Sequence, residues 1–315
     1  MDKFISCDWG TTTLRLRIVE NETQNILAEV TSQQGIAATY ELWKNSSSDR
    51  FEFFRNILSD SIEKLSLQCA YSLNDIPIVI SGMASASIGI IELDYKMLPI
   101  KTDASNLLTK IIEPVNDFMH RMIIIWGVRS SDDVMRGEET IIAGCEIDDI
   151  VNEQLFILPG THSKHIVVKN AMVTDFKTYM TGEIFDLLST KSILSGSVEK
   201  ENQMTEKINS SFGNGVEEGA YGNLLHDIFY VRTNRLLNKL SPLENYYYLS
   251  GLLIGSELKD ILHKNYNAIT LVSDEKLLPL YFEALHILKI NKTVHCIAAD
   301  KALIKGQCVI YKLYQ

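Results

Sequence analysis

Asp8-Trp9-Gly10-Thr11-Thr12-Thr13-Leu14-Arg15 decides the fold. The string sits between two apolar, β-branched runs, residues 4–7 and 14–19, and therefore reads as a hairpin turn. It places a carboxylate at the end of one strand, a glycine in the turn, three hydroxyls, and a guanidinium on the returning strand. Backbone N–H groups and hydroxyls in such a turn suit phosphate oxygens, and the carboxylate suits a hydrated divalent cation. Taken alone, an ordinary Thr-rich hairpin with a surface arginine reads equally well.

Outward from the turn, residues 26–30 add a third strand and complete a small antiparallel meander. Residues 50–67 follow as a helix, with Phe53, Phe54, Ile57, Leu58, Ile62 and Leu65 at helical spacing. Residues 76–80 and 122–126 read as buried strands, and residues 137–145 as a helix with Glu138 and Glu139 in its first turn, where the helix dipole favours acids. The pattern then restarts with strands at 154–158, 164–168 and 171–176. Gly10, Thr11 and Thr13 lie 150 positions before Gly160, Thr161 and Ser163, each set in the turn between a first and a second strand. Two copies of one unit are expected, joined near residues 145–152, with their turns facing across a cleft to grip one polyanion. Helices near 182–188, 219–229 and 241–263, a strand at 268–272, a helix ending at Leu288, a strand at 293–297 and a final helix complete the second copy. The acidic segment 199–209 reads as a surface excursion or linker without chemistry.

Three further strings carry candidate chemistry. Leu158-Pro159-Gly160-Thr161-His162-Ser163-Lys164-His165 repeats the phosphate turn, with Lys164 adding positive charge. A zinc reading of His162 and His165 is weak, since no third ligand lies at metal-site spacing. Met135-Arg136-Gly137-Glu138-Glu139-Thr140 opens a helix and aims a carboxylate that suits the proton of an attacking hydroxyl; a helix start decorated with favourable acids is the plainer reading. In Ser250-Gly251-Leu252-Leu253-Ile254-Gly255-Ser256-Glu257 the two glycines permit close approach, either of a flat ligand such as adenine or of another helix. Gly213, Gly215 and Gly219 have the wrong spacing for a dinucleotide loop. No P-loop, HExxH or GxSxG string is present.

Composition narrows the field. The chain has 315 residues, 46% hydrophobic and 22% charged, enough for more than one buried core and too ordered in composition for a disordered scaffold. A net charge of −10 argues against a general nucleic-acid binder, so an anionic substrate needs a local basic pocket. Cys7, Cys69, Cys145, Cys296 and Cys308 show no paired or zinc-like spacing and read as reduced thiols. The opening residues lack the zones of a signal peptide, and no apolar stretch approaches the length of a membrane span, so a cytoplasmic location is expected.

In order along the chain, the first turn, the Gly-Glu-Glu helix start, the second turn and the late Gly-rich string resemble the acetate and sugar kinase, chaperone ATPase and actin superfamily. More narrowly, Asp8-Trp9-Gly10-Thr11-Thr12 with Leu14-Arg15, Met135 to Thr140, Pro159-Gly160-Thr161-His162-Ser163-Lys164, Met180-Thr181-Gly182-Glu183 and Leu249-Ser250-Gly251-Leu252-Leu253-Ile254-Gly255 are similar to the 2-dehydro-3-deoxygalactonokinase family, over nearly the whole chain. The resemblance implies an α/β fold of two ribonuclease-H-like (actin-like ATPase) domains related by duplication, with an interdomain cleft. Residues 1–147 would form the sugar and phosphate side and 148–315 the nucleotide side, with the last helix able to pack back on the first domain. It further implies a kinase that phosphorylates the 6-hydroxyl of 2-dehydro-3-deoxy-D-galactonate with ATP and Mg²⁺, in bacterial galactonate degradation. The expected partners are a small sugar acid and neither nucleic acid nor membrane; a homodimer is compatible with the reading.

Carried over residue by residue, the resemblance implies that Glu138 is the general base, with Glu139 as the fallback, and that Asp8 holds Mg²⁺. Gly10, Thr11, Thr12, Gly160 and Thr161 would contact phosphates, and Gly251 and Gly255 would floor the adenine site. Arg15, Arg136 and Lys164 are the cations placed nearest the anionic groups, and Gly82, Met83, Ser85 and Arg136 are placed at the sugar. One segment departs from the family pattern: Gly82-Met83-Ala84-Ser85-Ala86-Ser87-Ile88-Gly89-Ile90 is poorer in glycine, lacks a tryptophan, and is followed by Leu93-Asp94-Tyr95 where a Pro-Tyr is usual. A kinase for another small sugar acid therefore stays open, as does a nucleotide-dependent binding module with slow ATPase activity.

Overall fold

A computed structural model describes residues 2–115, 117–147, 152–200, 206–290 and 292–315. Its contacts divide the chain into two compact units: Met1–Ile150 with Lys169–Asp175 and Ala299–Gln315, and Val151–Val168 with Phe176–Ala298. The expected junction near 145–152 falls largely on residues 148–151, which lie outside the described residues.

The first unit contains β1 (Lys3–Trp9), β2 (Leu14–Glu20), β3 (Ile26–Ser32), α1 (Ile36–Lys44), α2 (Arg50–Ser66), β4 (Ile78–Gly82), β5 (Tyr95–Met97), β6 (Ile100–Lys101), β7 (Thr109–Ile112), β8 (Met122–Ile125), β9 (Gly127–Arg129), β10 (Val134–Met135) and α3 (Glu138–Ala143). Its main sheet runs β3-β2-β1-β4-β8-β7. The first three strands are antiparallel, β1, β4 and β8 are parallel, and β7 returns antiparallel. β4 and β8 are continuous apolar runs because both faces of a central parallel strand are covered. α2 lays Phe54, Leu58, Ile62 and Leu65 on one face against that sheet, and its start is fixed by Asp49 accepting from the Glu52 amide. A small sheet, β10-β9-β5, was not read from the sequence.

The second unit follows with β11 (Gln154–Leu158), β12 (Ser163–Lys169), the later half of β13 (Met172–Tyr179), α4 (Thr181–Thr190), α5 (Glu206–Tyr221), α6 (Leu224–Asp227), α7 (Tyr230–Leu236), α8 (Pro242–Leu258), β14 (Ala268–Ser273), α9 (Leu278–Ile287) and β15 (Thr293–Ala298); α10 (Ala299–Lys312) closes the chain and belongs to the first unit. The strand order β13-β12-β11-β14-β15 repeats β3-β2-β1-β4-β8, with β11 antiparallel to β12 and parallel to β14. This is the ribonuclease-H-like order twice over, so the duplication seen in the two turns extends to the sheets.

Two expectations change. Residues 206–209 of the supposed linker form the first turn of α5, and residues 201–205 lie outside the described residues. The expected helix at 219–229 is broken, because α5 ends at Tyr221 and α6 restarts at Leu224 behind Gly222. α10 packs on α3 through paired glycines: a Cβ at Gly306 would stand 1.8 Å from the Thr140 carbonyl, and one at Gly144 1.8 Å from the Ala302 carbonyl. Among the described residues no helix is long and apolar enough to cross a membrane.

Candidate active site

The first turn is built from behind by α1. The carbonyls of Gly10, Thr11 and Thr12 accept from the amides of Ile36, Ala37 and Gly35 at 3.0, 3.1 and 3.2 Å, and Gly10 N–H donates to Thr13 O at 2.9 Å. In a trans peptide the N–H points opposite to the C=O, so the amides of Thr11, Thr12 and Thr13 face away from α1; Thr11 and Thr12 are themselves exposed. The positive end of α1 stands behind that cradle, an arrangement suited to an anion. Gly35 is obligatory here, because a Cβ would lie 2.2 Å from the Thr12 carbonyl carbon. Trp9 anchors the strand: its ring is buried against Phe54 at 5.6 Å and its indole N–H donates to Gln34 O at 2.9 Å.

Three backbone segments meet beside the turn. Gly82 has φ 85° and Gly137 φ 112°, conformations that favour glycine. A Cβ on Gly82 would come within 2.8 Å of Trp9 O and 3.6 Å of Asp8 Oδ1, and one on Gly137 within 3.3 Å of the Gly82 Cα. Asp8, Gly82 and the start of α3 are thus brought together. Burial raises the Asp8 carboxyl above its ordinary range, opposed by Arg15 and Arg17 and reinforced by Asp300; among the described residues no hydrogen bond to the carboxylate contributes.

Glu138 is half-buried and its Oε2 accepts from the Arg136 amide at 2.9 Å. Glu139 is buried, accepts from the Gly137 amide at 2.9 and 2.8 Å and from the Thr140 hydroxyl at 3.2 Å, and is pushed up to about 7 by burial first and the neighbouring Glu138 charge second. The Arg136 guanidinium donates to Ser85 Oγ at 2.5 Å and Leu93 O at 3.1 Å, and lies 4.2 Å over the Tyr95 ring. Ser85 in turn donates to Ile125 O at 2.8 Å. Met83 is half-buried in the same segment. Arg15 sits in a two-toothed pair with Asp300 at 2.9 Å, and the buried Arg17 joins Asp300 at 3.0 Å and Glu29 at 2.6 Å.

In the second unit the device recurs. Gly182, in the first turn of α4, stands where a Cβ would be 2.5 Å from Gly160 O and 2.8 Å from the Thr161 Cα, and the Glu183 amide donates to Thr161 O at 3.0 Å. Thr161 is exposed. Lys164 is buried under the turn, its Nζ donating to His162 O at 3.0 Å. His162 Nε2 meets Glu183 Oε2 at 2.5 Å, while His165 Nε2 meets Glu257 Oε1 at 2.9 Å, so the two histidines serve different carboxylates. Among the described residues no group of three or more metal-ligating side chains occurs.

The model of the 2-keto-3-deoxy-galactonokinase family matches residues 8–310. The chain belongs to that family. Relatives of this galactonokinase-family chain include the 2-dehydro-3-deoxygalactonokinase of Escherichia coli (strain K12), 26% identical over 312 residues with 96% of each chain covered. A protein of Rhizobium meliloti (strain 1021) assigned as a 2-dehydro-3-deoxygalactonokinase is 29% identical over 308 residues, covering 96% of this chain and 94% of that one. A crystal structure from Sinorhizobium meliloti, of a protein assigned the same way, superposes with a TM-score of 0.82 at 28% identity over 98% of this chain and 96% of that one. Component A of the (R)-2-hydroxyglutaryl-CoA dehydratase of Acidaminococcus fermentans shares the fold alone, with a TM-score of 0.51 at 12% identity and 99% of each chain covered.

Within this galactonokinase-family frame, the structure brings Asp8, Gly82, Gly137 and the Glu138–Glu139 pair together, as it does Arg136 with Ser85. It does not leave Gly251 and Gly255 open to adenine. A Cβ at either would strike α5, 2.2 Å from Phe212 O and 2.1 Å from Val216 O, and Gly215 and Gly219 of α5 face Tyr248 and Leu252 in the same way. The four glycines are a helix-packing seam, the plainer of the two readings of that string. Arg15 is engaged by Asp300 and Lys164 by its own turn. Sequence reading missed Gly35, whose counterpart Gly182 it did quote; a glycine opening the helix after each meander was the available signal. It also missed Asp300, Glu257 and the hold of Leu93 and Tyr95 on Arg136, which join residues far apart in sequence.

Proposed function

We propose that this chain transfers the γ-phosphoryl group of ATP to the 6-hydroxyl of 2-dehydro-3-deoxy-D-galactonate. The observation that carries the reading is the backbone stack of Asp8, Gly82 and Gly137, which brings the start of α3, with Glu138 and Glu139 in its first turn, against the end of the strand that carries Asp8. In this reading the acceptor hydroxyl gives its proton to Glu138 as the O6–P bond forms and the bond to the leaving ADP oxygen breaks. Glu139, fixed by the Gly137 amide, holds the helix start and is the fallback base. Thr11 and Thr12 with their amides take phosphate oxygens, and the Gly160–Thr161 turn of the second unit takes nucleotide phosphates.

Asp8 fits a hydrated Mg²⁺: among the described residues no donor binds its carboxylate, and a carboxyl raised by burial gains from a neighbouring cation. Bound there, Mg²⁺ supplies charge neutralisation for the phosphates. Arg136 is the receiver proposed for the substrate carboxylate; Ser85, Leu93 and Tyr95 fix its plane in advance without supplying an acid to neutralise it. The free cysteines fit a reducing cytoplasm.

A second reading keeps the chemistry and changes the acid, since the segment that departs from the family pattern is the one that clamps Arg136. Phosphorus NMR of the products from the galactonate compound, its gluconate epimer and other 2-keto-3-deoxy acids tests both. A 6-phosphate formed fastest from the galactonate compound supports the first reading; preference for another acid supports the second, and no transfer to any acid defeats both.

A further inference from the structure

Glu257, near the end of α8, is 3% exposed and accepts four hydrogen bonds: from Ser163 Oγ at 2.7 Å, His165 Nε2 at 2.9 Å, Tyr281 Oη at 2.7 Å and the Thr181 hydroxyl. A carboxylate has about four lone-pair sites, so this one is saturated. Those bonds hold its carboxyl below the ordinary range against a burial that alone would raise it.

The positions of two of the donors matter. Ser163 opens β12, two residues after the exposed Thr161, and Thr181 is the first residue of α4, directly before Gly182. Gly182 lies on Gly160 and Thr161, and Glu183 donates to Thr161 O. One buried charge therefore ties the turn to the helix that backs it. Tyr281, from α9, binds the same carboxylate, and its hydroxyl also reaches Ser163 and Thr181, so it braces both ends of that contact.

We infer that Glu257 is a positioning residue for nucleotide binding: through Ser163 and Thr181 it fixes the spacing between the Gly160–Thr161 turn and the N-terminus of α4, and so the cradle that receives the nucleotide phosphates. The inference rests on the proposed role of that turn. Its signature is a split between substrates. Loosening the tie weakens ATP and leaves the sugar acid unaffected.

The test is steady-state kinetics on the full chain with Ser163→Ala, Thr181→Val and Glu257→Gln, each with a melting temperature, and with Thr161→Val as a probe of the turn itself. Ser163→Ala and Thr181→Val are expected to raise KM for ATP about tenfold each, the effect of one charged hydrogen bond, with KM for the sugar acid unchanged. Glu257→Gln, which loosens both ends at once, is expected to raise KM for ATP at least as much, again with KM for the sugar acid unchanged. If all three lower the melting temperature and none moves KM for ATP while Thr161→Val does, the inference is overturned and Glu257 only holds the fold together. If Thr161→Val also leaves KM for ATP unchanged, the assignment of the turn falls instead.

Discussion

The two hairpin turns share a topology and differ in what surrounds them. Each follows the first strand of a meander and is backed by a glycine and the N-terminus of a later helix. The first is flanked by a half-open ion cluster in which Arg15 and Arg17 both donate to Asp300, and among the described residues the Asp8 carboxylate has no hydrogen-bond donor. The second is flanked by Glu257, buried with every lone pair occupied. A carboxylate without hydrogen bonds is available for chemistry, whereas a saturated one is available only for holding. Duplication supplied the same frame twice, and in the proposed function the side chains around it divide the labour.

The largest effect expected from that division lies at the first turn. Asp8→Asn and Glu138→Gln should each lower kcat by about 10²-fold or more, with melting temperatures close to wild type, as expected for lost acid–base or charge-holding groups. Normal turnover by Glu138→Gln would move the base to Glu139.

Next comes the glycine seam of the second unit. Gly255→Ala should destabilise the fold by roughly 1–3 kcal/mol or more through a clash with Val216 O, measured by denaturant unfolding, while KM for ATP of the folded fraction stays near wild type. A selective loss of ATP binding without loss of stability would return these glycines to the nucleotide.

Glu139 sharpens the comparison through pH. Its folded carboxyl is raised from 4.5 to about 7, so between those values the folded state keeps a proton that the unfolded chain has lost. Stability should therefore fall as pH rises through that window and level off above it. Glu139→Gln removes the group and should flatten this slope in unfolding measured from pH 5 to 8; an unchanged slope would place its origin elsewhere.

The smallest effect belongs to Asp300. It is 62% exposed, so Asp300→Asn should reduce stability by only about 0.2–1 kcal/mol, and less at high salt, with Arg17 still held by Glu29. A larger loss would mean that the cluster braces the first turn as firmly as Glu257 braces the second.

Much of this was legible in the sequence because it is local. The three-strand meanders, the helix from Arg50, and the Gly-Glu-Glu start each declare themselves through spacing within a dozen residues. The repeat was legible because Gly10-Thr11 and Gly160-Thr161 kept their register. What stayed hidden depends on contacts between distant segments. The stack of Asp8, Gly82 and Gly137 joins the ends of β1 and β4 to the start of α3, and the ties from Asp300 to Arg15 and Arg17 cross nearly the whole chain. Gly251 and Gly255 show the converse: their spacing alone fits a ligand or a helix equally, and only the position of α5 decides between them.

The central claim is that the first turn and α3 together phosphorylate a sugar acid. The most direct measurement is ADP release from Mg·ATP by wild type and Glu138→Gln, each with and without 2-dehydro-3-deoxygalactonate. The account predicts strong stimulation by the acid in the wild type and its near-complete loss in the variant. ADP release that is the same with and without the acid, in a wild-type protein that binds ATP, would contradict it.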